Sequence, residues 1–313
     1  GYWQKVGFTS EPYEELFGVT TDWSGHVFAV GYAQDDFQSD PIVVKLRDTD
    51  GVVLGIDRIA ATSGEFYETA ISASYDPEND FIFICGDFEG AIGSVSSVDT
   101  DDAFVIRYQN DDSSLTFSRQ EVVFLDGVSE LPSVESGFTL ATTLEGDVIL
   151  GGYSTSKIDD DLLQTLDTNA PPMGYLISLQ GDNLGWVNWS QDIADVSTDY
   201  TYMNGVAVDG LGNVYAAGSI LDDFALDGAD GSYAGERHGF VLQYNGGTVG
   251  FDYKTDYLKP SVATNGATGS DVEVTPAGDL IFAGVNEIDV ASEETSGELV
   301  LRLYDDTLTN YTP

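Results

Sequence analysis

Two acidic residues, Asp271 and Glu273, stand where this chain otherwise places small side chains. Their stretch, Asp271-Val-Glu-Val-Thr275, has four counterparts: Gly18-Val-Thr-Thr-Asp22, Ser72-Ala-Ser-Tyr-Asp76, Thr139-Leu-Ala-Thr-Thr143 and Gly205-Val-Ala-Val-Asp209. Residues i and i+2 of a strand share one side, so the two carboxyls lie together. A buried carboxylate must be paired, hydrogen-bonded or protonated. One reading is therefore catalytic acids or an axial cation site. The other is an ion pair with Lys45, Arg107 or Arg302, which take a recurrent place in a later strand. The residue types leave both open.

A second chemistry is cation binding. Asp227-Gly-Ala-Asp230-Gly-Ser232 repeats oxygen ligands every few residues, with glycines that permit a sharp bend, as a hard cation such as Ca²⁺ requires. It lacks the spacing and closing Glu of an EF-hand loop. Asp159-Asp160-Asp161 and Asp99-x-Asp101-Asp102 are lesser candidates, and each has the plain alternative of a solvated acidic loop. Asp48-x-Asp50-Gly51 reads most simply as a hairpin turn. His26 and His238 have no metal-ligand spacing. Cys85, the sole cysteine, excludes an intrachain disulfide and reads as a buried inert thiol. No Gly-x-Ser-x-Gly elbow or phosphate-binding glycine loop is present. Asn188-Trp-Ser190 and Asn310-Tyr-Thr312 are glycosylation sequons.

What positions these residues is a repeat. Apolar runs close at Gly31, Cys85, Gly152, Gly218 and Gly284, in steps of 54, 67, 66 and 66 residues. Each unit reads as four short strands: an alternating one, a continuously apolar one, a third such as Phe240-Val-Leu-Gln-Tyr244, then a polar turn and an amphipathic fourth. Strands apolar on both faces must be covered on both sides. The expectation is an all-β, five-bladed β-propeller of four antiparallel strands per blade, occupying 1–313 as a single domain. The units span 16–66, 67–135, 136–201 and 202–267, with 268–313 completed by 1–15. Tyr2-Trp-Gln-Lys-Val6 resembles Trp189-Ser-Gln-Asp-Ile193, so pairing of N- and C-terminal strands is expected to close the ring.

The stretch Asp209-x-x-Gly-Asn-Val-Tyr-x-x-Gly218, with Asp102-Ala-Phe-Val-Ile-Arg107 in another unit, resembles the repeats of secreted β-propeller proteins related to the NHL group. The fourth unit matches the turn motif fully. The first is close to it, the third and fifth begin with Thr143 and Thr275, and the second has Asn79-Asp80 for Gly-Asn. The resemblance implies a propeller fold and an extracellular setting, and no single activity.

Composition narrows the partners. There are 54 acidic side chains against 11 basic ones, a formal net charge of −43. Nucleic acid and anionic membrane surfaces are excluded as electrostatic partners, and no apolar run is long enough to span a bilayer. Cations, basic proteins and neutral glycans remain, as does adaptation of the surface to high salt. The segments 32–40, 86–102, 153–173, 219–238 and 285–296 hold 21 carboxylates and two basic residues, Lys157 and Arg237, so one loop face is expected to be the most acidic. The chain begins at Gly1 without an initiator Met or signal peptide, as a processed form or an excised fragment would.

Three functions fit. The first is an extracellular or cell-surface binding or structural module, whose acidic and calcium-bridged loop face meets a glycan, matrix component or protein. The second is a glycoside hydrolase-like enzyme with paired carboxylates, Asp271 and Glu273 among them. The third is a repeating subunit of an extracellular assembly.

Overall fold

The structure is a computed structural model. It describes residues 13–34, 39–60, 68–96, 102–111, 116–127, 135–155, 158–159, 164–165, 172–193, 200–221, 237–245, 254–258, 266–290 and 294–304. Among these every regular element is a strand. The first sheet comprises β1 (Tyr13–Thr21), β2 (Val27–Gln34), β3 (Ser39–Leu46) and β4 (Val53–Arg58). In the second, β5 (Thr69–Asp76) and β6 (Phe81–Phe88) are followed by a small hairpin, β7 (Ala91–Ile92) and β8 (Val95–Ser96), then by β9 (Asp102–Asp111) and β10 (Thr116–Gly127).

The third sheet holds β11 (Glu135–Thr142) and β12 (Val148–Ser154). A short pair, β13 (Ile158–Asp159) and β14 (Gln164–Thr165), precedes its β15 (Met173–Gln180) and β16 (Asn183–Ile193). That pair adds to the outer edge of β10, tying the third unit to the second sheet. The fourth sheet is β17 (Thr201–Val208), β18 (Asn213–Leu221), β19 (Arg237–Asn245) and β20 (Lys254–Leu258). The fifth is β21 (Ala267–Val274), β22 (Leu280–Val290) and β23 (Glu294–Tyr304).

Apart from the parallel pairing of β14 with β10, each sheet is a meander of antiparallel neighbours, and the first strands pack in chain order, β1 on β5, β5 on β11, β11 on β17 and β17 on β21. Four core clusters lie at the junctions between successive sheets, and a fifth, Ala33, Ile42, Val44 and Leu46, lies within the first sheet on its other face. Phe28, Val30 and Val43 of the first sheet meet Ile82, Ile84, Phe104 and Ile106 of the second, all fully buried. Tyr215, Ala217 and Val241 of the fourth meet Val272, Leu280 and Phe282 of the fifth. This is why the second and third strands read as unbroken apolar runs. The expected terminal pairing involves residues 1–12 and 305–313, which lie outside the described residues.

The inner hairpin of every unit has the same irregularity. A bulge interrupts the first strand between Leu16 and Gly18, Ala70 and Ser72, Gly137 and Thr139, Met203 and Gly205, and Gly269 and Asp271. A bulge sharpens the local twist and presses the first-strand backbone onto the second. A Cβ at Gly31, Gly86, Gly152 or Gly218 would stand 1.8–2.1 Å from a carbonyl oxygen of that strand. The recurring glycine is thus imposed by the bulge.

This geometry corrects the sequence alignment in two places. The bulge glycine of the second unit is Gly86, not Cys85, so the steps become 55, 66, 66 and 66 residues. Cys85 takes the place of Val30, Gly151, Ala217 and Ala283, facing the next sheet. In the fifth unit, Leu303 rather than Arg302 matches Lys45 and Arg107, because Leu303 pairs with Ile281 as Lys45 pairs with Phe28. One residue of slip turns a side chain to the opposite face.

The turn before each second strand is held by its leading residue. Asp22 Oδ1 accepts the His26 N–H and Asp209 Oδ1 accepts that of Asn213; Thr143 and Thr275 use their hydroxyls for Asp147 and Asp279. Asp and Thr alternate because either supplies the acceptor. Gly212, at φ +84°, takes the left-handed conformation that the turn requires.

Candidate functional site

Each of the first four sheets has a forward face, turned toward its successor, and the fifth has the equivalent face. Gly18, Ser72, Thr139, Gly205 and Asp271 occupy one position on it, just past the bulge. At this position the inner strands come into close contact. Ser72 Oγ accepts the Leu140 N–H at 3.3 Å, and Thr139 Oγ1 accepts the Val206 N–H at 3.0 Å, each from the following sheet. A Cβ on Gly205 would lie 2.6 Å from Asp271 Cα.

Asp271 and Glu273 therefore lie on the forward face of the fifth sheet, one beside Ala283 and the other beside Ile281. Both are reached by solvent, yet neighbouring protein displaces enough water to matter. Burial raises the Asp271 carboxyl above its usual range, against a hydrogen bond from the Val272 N–H. Burial also raises Glu273, and the charge of Asp271 adds to the effect. The expected ion pairs with Lys45, Arg107 and Arg302 do not form. Lys45 Nζ lies 2.5 Å from Asn110 Oδ1, Arg107 pairs with Glu121, and Arg302 donates to the Tyr304 hydroxyl on the opposite face of the sheet.

The face around the two acids is apolar and uncovered. Leu301 is 64% exposed, while its equivalents Val43, Val105, Leu176 and Val241 are at most 1% exposed. Ile281, Leu299 and Leu303 are exposed beside it. At the other end of the series, Val19 of β1 is 65% exposed, whereas its counterparts Leu140, Val206 and Val272 are buried against the preceding sheet.

A buried polar network joins the first two sheets. Lys45 is wholly buried over the Phe28 ring; Asp22 lies 4.0 Å from its ammonium and also accepts from His26 Nδ1 and Asn110 Nδ2. Burying an ammonium is tolerable only with such partners. Arg107 makes the corresponding link from the second sheet to the third, donating to the Gly181 carbonyl at 2.7 Å. Further out, Asp57 accepts from Arg119 and from the Tyr108 hydroxyl across a groove between β4 and β10. The sequence showed a basic residue inside an apolar run at Lys45 and Arg107, and its partners only emerge in three dimensions.

Glu68 belongs to no motif in the sequence. Its side chain is wholly buried beside Ser39, and neither carboxyl oxygen has a hydrogen-bond partner. Burial, then the charges of Asp40 and Glu89, push its pKa up to about 8. Nothing in its local sequence signals this, because the cover comes from joining two units.

The remaining sequence candidates fare differently. Asp227, Asp230 and Ser232, together with Asp160, Asp161 and Asn310, lie outside the described residues, and Asp159 is described only as part of β13. No group of three metal-ligating side chains converges among the described residues. Asp48 to Gly51 forms the expected turn, with Gly51 N–H donating to the Arg47 carbonyl and Asp50 Oδ1 accepting from Val52. Cys85 is buried with its thiol raised by burial, as an inert core thiol should be. Asn188 sits on β16, its amide donating to Ser178 Oγ at 3.3 Å. His26 and His238 belong to the first and fourth sheets.

Residues 188–225 match a family model described as a β-propeller repeat, the segment that carries the full turn motif. No curated protein sequence matches the chain. Solved structures resemble it across most of its length. An α-L-arabinanase of Penicillium chrysogenum, complexed with arabinobiose, is 11% identical with a TM-score of 0.51, over 90% of this chain and 80% of that one. An α-L-arabinofuranosidase of Fusarium graminearum with arabinobiose is also 11% identical, with a TM-score of 0.53 over 95% and 82%. An ulvan lyase of polysaccharide lyase family 25 is 11% identical, with a TM-score of 0.53 over 93% and 69%. At such identity the likeness concerns fold, and it is to β-propeller architecture.

Proposed function

We propose that this chain is a carbohydrate-active β-propeller that hydrolyses a glycosidic bond with Asp271 and Glu273. One observation carries the proposal: two carboxyls share the forward face of an innermost strand, within reach of solvent, and both are held above the usual carboxylate range. The resemblance of the fold to arabinan- and ulvan-active enzymes supports this over a binding-only module. Glu273, raised by burial and by the charge of Asp271, takes the part of general acid in this reading. Asp271 is the base that activates water. Two residues along a strand separate such groups by about 6.5–7 Å, within the range that leaves room for water and inverts the anomeric centre.

In the same reading the five sheets are blades of a closed ring. Terminal strands complete the fifth blade, and its forward face receives the first sheet over Leu301 and Val19, while Glu273 and the second carboxyl oxygen of Asp271, on the innermost strand, stay open to the axial channel. The acidic loop face binds calcium at Asp227, Asp230 and Ser232, and the setting is extracellular or at the cell surface. A rise in melting temperature with Ca²⁺, lost in Asp227→Asn with Asp230→Asn, checks the metal; an unchanged melting temperature removes it.

A specific observation favours a second role for Asp271. Ser72 and Thr139, its equivalents, accept the first-strand N–H of the following sheet, so in a closed ring Asp271 would accept that of Val19. The enzyme is tested on a panel of neutral oligosaccharides, arabino-oligosaccharides included. Glu273→Gln should lower turnover by about 10²–10⁴-fold without changing the melting temperature appreciably. Absence of turnover on every glycan by a protein that binds one would refute hydrolysis and leave a lectin.

A further inference from the structure

The polar links between sheets identify a place where one is missing. On the third strand of each unit, Lys45, Arg107, Ser178, Gln243 and Leu303 occupy one forward-facing position. At the first two junctions a long cation runs between the sheets to the next unit, Lys45 to Asn110 and Arg107 to the Gly181 carbonyl. At the third junction the residue is Ser178, too short to reach across. A pocket of about 360 Å³ opens there, between the turn 143–147 of the third unit and the turn 210–212 of the fourth.

We propose that this pocket binds the alkylammonium group that the third junction does not supply from its own chain. The walls suit a hydrocarbon stem: Ile149, Val214, Trp189, Leu144 and Leu211 line it, and the last two are exposed at its mouth. The polar end suits a cation. Glu145 and Asp147 line it, and no Lys or Arg does. Ser178 is 2% exposed and accepts the Asn188 amide, and its own hydroxyl proton has no acceptor among the described residues. Burial raises Asp147, with the charges of Glu145 and Asp182 adding to it against hydrogen bonds from the Asn188 side chain and the Gly181 backbone, and an incoming ammonium would offset the charge repulsion. At the first junction the equivalent ammonium is desolvated over the Phe28 ring, and an indole offers a stronger cation–π partner than phenyl. A net charge of −43 draws cations to the surface at long range.

Calorimetric titration of the whole chain at low salt tests the site. The probes are n-butylammonium and N-acetyl-lysine N′-methylamide, with N-acetyl-norleucine N′-methylamide as the uncharged control. Saturable binding of an amine, with the control at least about tenfold weaker, is expected for charge-assisted contacts. Asp147→Asn with Glu145→Gln should weaken it about tenfold or more, and Ser178→Lys, which restores the internal cation, should abolish it. Binding of butylammonium alone assigns a free amine, and binding of the lysyl amide assigns a side chain of a protein partner. Equal affinity for the control, or binding unchanged in both variants, would overturn the proposal. If Ser178→Lys fails to fold, the turn variants still decide it. Because Asp271 and Glu273 lie in the fifth sheet, loss of hydrolysis and loss of amine binding are separable results.

Discussion

At the scale of single residues, the glycines show how much can hang on one hydrogen atom. A Cβ on Gly152 would stand 1.8 Å from the Ser136 carbonyl oxygen, whereas one on Gly210 meets nothing within 4 Å. Gly152→Ala should therefore cost about 2–4 kcal/mol, like other steric disruptions of a tight backbone contact, and Gly210→Ala should fall within about 0.5 kcal/mol of wild type. Chemical denaturation of both variants measures the difference. The recurrent spacing of apolar runs made Gly152 visible in the sequence, and the bulge that demands it was not. Glu68 gives a pH prediction. Its folded pKa, about 8, is raised above the unfolded value, so the folded state holds the proton more tightly. Its contribution to stability is full below the ordinary Glu pKa and declines as pH rises toward about 8. Glu68→Gln should flatten that decline between pH 5 and pH 8, as read from melting temperatures across about three pH units; an unchanged profile would show that another group is responsible.

Among elements, the inner hairpin turns show why a motif can vary without loss of form. Thr275 supplies one acceptor to its turn, whereas Asp209 holds four donors, including the buried Tyr215 hydroxyl. Thr275→Ala should cost about 0.5–1.5 kcal/mol for one hydrogen bond, and Asp209→Ala about 2–4 kcal/mol, since buried donors would be stranded. Equal costs in denaturant titrations would mean that the turn residues act independently of their hydrogen bonds. The strands themselves were legible: apolar runs covered on two sides, turns at regular intervals, and four strands to each of the first four units. What sequence could not fix was register. In sequence Cys85 is indistinguishable from Gly86 as the closing residue, and Arg302 from Leu303 as the recurrent position, because a run such as Leu299-Val-Leu-Arg-Leu303 is apolar on both faces and carries no parity of its own. That ambiguity puts Arg302 on the wrong face and makes it a false partner for Asp271 and Glu273.

For the molecule as a whole, charge and closure are the governing questions. With 54 acidic groups against 11 basic ones, self-repulsion opposes compaction at low ionic strength. The melting temperature should climb as salt shortens the Debye length from about 30 Å at 0.01 M to about 3 Å at 1 M. Closure is read at Leu301. In a closed ring Leu301→Asn would bury an amide where Val43 and Val241 lie fully covered, at a cost of about 2–4 kcal/mol. On an open face the change would stay within about 0.5 kcal/mol. The carboxyl pair was visible in the sequence as an exception to a repeat, and its position on the last forward face was not, since that depends on the order of packed sheets. The most direct test of the catalytic account is proton NMR of the first sugar released from an oligosaccharide substrate. Inversion at the anomeric carbon, with a bell-shaped pH profile whose alkaline limb is absent from the residual activity of Glu273→Gln, is the predicted result. Retained configuration, or full activity in both Glu273→Gln and Asp271→Asn, would contradict it.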